Sequence, residues 1–151
     1  MSRRCGFSLL ELLIVVFIIS VLSGLSLPRI KNTFQKFELQ NFAKNLYYLC
    51  HYLRDSSISQ RAIYYLSIDK EKKEFQALYK QESGFKNLSG RFGKKYPAPQ
   101  GVNISIDPPD KSGVWFYPDG SIDKIIILFD GLKQDKASLI IKGAAGEIQI
   151  Q

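Results

Sequence analysis

The chain has few residues that could do chemistry, and they are badly spaced for it. Its one histidine, His51, stands next to Cys50, and no second histidine or cysteine follows at the short spacing that zinc ligands use. Asp119, Asp123, Asp130 and Asp135 carry hard oxygen atoms of the kind calcium takes, but they do not follow the EF-hand pattern and read as turn residues. A Ser-His-Asp set has only His51 to draw on, and no glycine-rich loop opens a helix as a phosphate cradle. The expectation is therefore no catalytic residue, no metal, no cofactor and no enzyme.

One ionisable residue is conspicuous by its surroundings. From Phe7 to Leu27 the chain reads FSLLELLIVVFIISVLSGLSL, in which Glu11 is the only charge. This run is about the length that crosses a ~30 Å hydrocarbon core as a helix. A carboxylate there is expensive and is normally kept for a partner or a function, although it can also snorkel to the headgroups or take up a proton. A cleaved secretory signal has a shorter apolar centre and small residues before its cut. The segment 7–28 is thus expected to stay as a transmembrane anchor. Arg3 and Arg4 precede the span and the larger part of the chain follows it, which places residues 1–6 in the cytoplasm and the rest outside.

The elements that would carry this anchor continue the helical period. Leu39, Phe42, Ala43, Leu46, Leu49, Cys50 and Leu53 recur in three- and four-residue steps, whereas Lys36, Gln40, Lys44, Arg54 and Asp55 lie off that stripe. Residues 29–62 are expected to form an amphipathic helix, continuous with the anchor, whose apolar face lies on a sheet and whose His51 is on the surface. From 63 to 151 the pattern changes to short β-branched and aromatic runs: Ile63–Ile68, Glu74–Tyr79, Val102–Ile106, Val114–Tyr117, Ile122–Phe129, Ser138–Lys142 and Glu147–Ile150. Asp69–Lys73, Pro118-Asp119-Gly120-Ser121 and Gly143-Ala144-Ala145-Gly146 supply turn residues between them. Lys80–Gly101, with its glycines, lysines and prolines, reads as a long irregular loop. The fold class is α+β, a long N-terminal helix packed on antiparallel sheets.

Gly6-Phe7-Ser8-Leu9-Leu10-Glu11, a basic leader before it and an unbroken apolar run after it resemble the class III signal of type IV pilins and type II secretion pseudopilins. The resemblance implies cleavage between Gly6 and Phe7 by a prepilin peptidase, N-methylation of Phe7, and a role for Glu11 in assembly. The new α-amino group of Phe7 would lie in the same apolar layer as Glu11, so that pairing the two, within or between subunits, offsets both desolvation costs. Pro28 falls where members of this family bend the helix. Val114-Trp115-Phe116-Tyr117-Pro118-Asp119-Gly120-Ser121, the apolar strand after it and the last strand after Gly146 resemble the H-type minor pseudopilin domain.

That resemblance implies a minor pseudopilin of a type II secretion pseudopilus, in the bacterial inner membrane, single-pass, with its C-terminal domain in the periplasm. Other pseudopilins or pilins, the prepilin peptidase, inner-membrane lipid and the secretion assembly platform are the implied partners. The alternatives are a minor pilin of a type IV pilus or DNA-uptake filament and, from another class, a single-pass membrane enzyme.

Composition adds limits. Twenty-one Lys and Arg against 14 Asp and Glu give +7, but cleavage would remove Arg3 and Arg4 and leave +5. DNA-binding relatives often carry arginines after the glycine of the last strand, whereas Gly146 is followed here by Glu147, Ile148 and Gln149, so nucleic acid is not an expected partner. The same cut would remove Cys5 and leave Cys50 as a lone buried thiol. Intact-mass spectrometry of the protein from cells with an active prepilin peptidase is expected to show a chain starting at a methylated Phe7. An intact Met1 or Ser2 terminus, or efficient processing of Gly6→Val, would rule this out.

Overall fold

The structure, a computed structural model, describes residues 8–131, 135–143 and 146–151, with side chains throughout except at 24–33. The leader 1–6, Phe7 and the Ala144-Ala145 turn pair lie outside the described residues. One helix, α1 (Leu9–Gln60), includes Pro28 within its helical backbone. The chain divides into two compact units, 1–34 and 35–151.

In the second unit the stripe expected from the periodicity is the buried face of α1: Leu39, Phe42, Ala43, Leu46, Leu49, Cys50 and Leu53 are all buried. The helix ends where Arg61 turns left-handed at φ 48°. There the Ala62 N–H donates to Ser57 O (3.2 Å) and the Arg61 N–H to Ile58 O (3.4 Å), the bonding of a Schellman stop, with Arg61 where glycine is usual.

The strands form two antiparallel sheets. In the first, β1 (Tyr64–Asp69) lies between β2 (Glu74–Gln81) and β6 (Gly113–Phe116). The outer edge of β2 is shared by β3 (Gly84–Asn87) at one end and β4 (Tyr96–Pro97) at the other. The second sheet runs β5 (Asn103–Asp107), β7 (Ile125–Asp130), β8 (Lys136–Ile141), β9 (Ile148–Ile150). Burial alternates along β1, β7 and β8, as it must where one sheet face meets a core.

The region 80–101 departs from the irregular loop expected there. It contains the end of β2, all of β3, a 3₁₀ turn at Gly90–Phe92 and β4. Sequence pattern misses these because β3 is exposed along its whole length and so shows no alternation. The strand expected to begin at Ile122 begins at Ile125 instead, and Ile122 makes an isolated bridge to Phe116.

A single core joins helix and sheets. Its centre is three phenylalanines, one from each: Phe42 on α1, Phe75 on β2 and Phe129 on β7, with ring centroids 5.5 to 6.1 Å apart. Edge-on geometry between Phe42 and each of the others places ring edges against ring faces, the favourable quadrupole arrangement. The crossing from β6 to β7 is pinned to the helix by polar contacts. Arg54 Nε donates to Gly120 O (3.3 Å), and the buried Ser57 hydroxyl lies 2.9 Å from Tyr117 O and 2.6 Å from Arg54 O. Arg54, which lies off the stripe, is thus half-buried and holds a turn. Gly120 is at φ +83° in that turn, a left-handed position that suits glycine.

Phe42→Ala should lower the unfolding free energy of the 35–151 unit by about 3–5 kcal/mol, measured by urea denaturation, because no neighbouring element can collapse into the junction of three. Burial pushes the Cys50 thiol up to about 12. Iodoacetamide at pH 8 should therefore leave Cys50 unmodified in the native protein and alkylate it once the chain is unfolded.

Candidate processing and assembly segment

Gly6 and Phe7 lie outside the described residues, so the geometry begins at Ser8. Its hydroxyl accepts the Glu11 N–H at 3.2 Å, and its carbonyl accepts the N–H groups of Glu11 (3.1 Å) and Leu12 (3.2 Å). Ser8 is therefore the N-cap of α1, and Ser8-Leu9-Leu10-Glu11 has the residues of a capping box. The carboxylate of Glu11 sits in the first turn, where the helix dipole favours negative charge. This local role for Ser8 was missed in reading the sequence, although Ser-x-x-Glu before an apolar run is its signal.

After the cap the side chains are apolar on every side. Leu9, Leu10, Leu12 to Ile19, Val21 and Leu22 are 44 to 82% exposed, covering the helix all round instead of along a stripe. A helix with this distribution needs apolar surroundings on all sides, lipid or other helices. Ser20 does not spoil it, since its hydroxyl donates back to Val16 O at 2.7 Å. Among the described residues no helix is long and apolar enough to cross a membrane. Phe7 and the side chains of 24–28, which complete the span expected from the sequence, are not among those described.

Among the described residues no group of His, Cys, Asp and Glu could hold a metal ion. Asp119 accepts hydrogen bonds from Ser121 N–H (2.9 Å) and Ser121 Oγ (2.6 Å), and these bonds hold its carboxyl below the usual range. His51, expected on the helix surface, is half-buried instead: its ring packs on Tyr47 at 4.5 Å, and its Nε2 is shut off from solvent. Glu147 accepts a bond from the Gln149 amide and pairs with Lys142 at 3.2 Å across the last hairpin.

Residues 1–27 match the family model described as the prokaryotic N-terminal methylation motif. No curated protein matches the chain in sequence. The minor pseudopilin EpsH from the type 2 secretion system of Vibrio cholerae matches in structure with a TM-score of 0.67 and 11% identity, over 76% of this chain and 96% of that one. The type IV minor pilin FimU of Pseudomonas aeruginosa PAO1 matches with a TM-score of 0.57 and 20% identity, over 76% of this chain and 88% of that one. At such identities the likeness is one of fold. The chain thus joins a prepilin-type N-terminal methylation motif to the pilin-like α+β fold found in a minor pseudopilin and a minor pilin.

Proposed function

We propose that this chain is a minor pseudopilin subunit of a type II secretion pseudopilus, supporting protein export across the outer membrane. The prepilin peptidase cuts between Gly6 and Phe7 and methylates the Phe7 amine. Residues 7–28 anchor the subunit in the bacterial inner membrane as a single pass, and the domain that follows lies in the periplasm. Assembly then moves the apolar helix from lipid into contact with the helices of other pseudopilins, on the secretion assembly platform.

The observation that carries this reading is the helix that starts at the Ser8 cap and is apolar all round from Leu9 to Leu22, interrupted only by Glu11 and Ser20. Apolar side chains on every side of the helix suit lipid and like helices as surroundings. In those surroundings Glu11 needs a cation, and the Phe7 amine is the one that processing creates. The fold supports the reading through EpsH. A minor pilin of a type IV pilus or DNA-uptake filament is the second reading, favoured by the higher identity with FimU.

Glu11→Ala should leave the domain folded and reduce cross-linking of this subunit to other pseudopilins by roughly tenfold or more, the size expected when a desolvated charge loses its partner. Ser8→Ala, which removes only the cap, should reduce it far less. Wild-type cross-linking of Glu11→Ala would mean that the carboxylate serves the helix start alone. Loss of exoprotein secretion without loss of piliation, on deletion of the gene, separates the pseudopilus from the pilus reading.

A further inference from the structure

Arg54 leaves α1 off the buried stripe, is half-buried, and among the described residues takes part in no ion pair. A guanidinium drawn partly out of water needs acceptors for its N–H groups. One is Gly120 O, 3.3 Å from Nε, in the turn between β6 and β7. On another side the same group meets the last hairpin. A Cβ on Gly146 would lie 2.6 Å from Arg54 Nε and 2.7 Å from Cζ and Nη2, so the guanidinium fills the space that a side chain at 146 would need.

Gly146 stands where the β8–β9 hairpin returns to its ladder. Its N–H donates to Gly143 O at 2.8 Å, and beside it the Lys142 N–H donates to Glu147 O at 2.9 Å. At φ +61° it also has a conformational reason to be glycine. Asparagine enters that region readily as well, so φ alone does not demand glycine. Space is the separate constraint. A side chain at 146 would push aside a group that is bonded to Gly120 O.

Arg54 is thus the side chain at which α1, the turn leaving the first sheet and the turn before the last strand come together. Strand β9 is three residues long and, among the described residues, pairs only with β8. So short an edge strand is the kind of element that opens locally unless its start is held. We infer that Arg54 is a latch that seats the C-terminal hairpin on α1, and that residue 146 is glycine in order to admit the guanidinium. Without the latch the hairpin opens while the first sheet stays folded. The inference does not depend on the pseudopilus reading.

Amide hydrogen exchange of the full-length chain in detergent tests it. The Lys142 and Gln151 N–H groups, bonded to Glu147 O (2.9 Å) and Ser138 O (3.0 Å), report on the hairpin. Those of Ile68 and Lys80, bonded to Ser112 O (2.8 Å) and Ile63 O (2.9 Å), report on the first sheet. Arg54→Met keeps an apolar stem and removes the guanidinium. It should speed exchange in the hairpin by about tenfold or more, the size of one hydrogen bond from a charged donor, and in the first sheet by less than about threefold. Gly146→Asn should act alike in the wild-type chain, yet add less than about threefold to Arg54→Met, because both undo one contact. Lys142→Ala, which removes only the exposed pair with Glu147, should change little. Equal acceleration in both sheets, loss of the whole fold in Arg54→Met, an unchanged hairpin, or full additivity of the two substitutions would overturn the inference.

Discussion

The buried stripe of α1 from Leu39 to Leu53 is the constraint on which the domain depends. Each sheet has one buried face, which needs a second apolar layer to cover it. The helix supplies the missing apolar layer, and Phe42 joins it to both sheets through Phe75 and Phe129. Polar contacts then fix what packing leaves free. Arg54 and Ser57 grip the turn at Tyr117 and Gly120 at which the chain leaves one sheet for the other.

The same helix has a second kind of surface before the domain. From Leu9 to Leu22 it has apolar side chains all round and no polar face to turn to water. This contrast within one helix follows from composition: apart from Glu11, its charged and amide residues begin at Arg29, and only beyond them does a stripe become possible. Glu11 belongs to the helix start through the Ser8 cap and, in the function proposed, to the contact between subunits. One carboxylate can serve both, because its position in the first turn favours negative charge whatever else it faces.

The outer face of the first sheet has its own logic. Tyr65 crosses Gly113 to meet Trp115, and Phe85 closes the cluster from the β2–β3 hairpin. These rings are on the side opposite the core, as the register of Tyr65 between Leu78 and Trp115 requires. An aromatic face of this kind is unusual on a solvated sheet and sits where the backbone edge is also open.

Much of this was determined by the sequence alone. The apolar period from Leu39 to Leu53 names the buried face of α1 because helical geometry repeats every 3.6 residues whatever the tertiary context. Alternation located β1, β7 and β8 to within a few residues, and Glu11 stood out by its apolar neighbours. Tertiary structure alone decided the rest. Strand β3 has no buried side and so leaves no alternation to read, which hid it inside an expected loop. His51 was expected on the surface and Arg54 only off the stripe, because helical spacing says which face a side chain leaves from, not what crosses above it. The ring of Tyr47, one helical turn before His51, covers it locally, whereas the turn at Gly120 reaches Arg54 only when the chain folds.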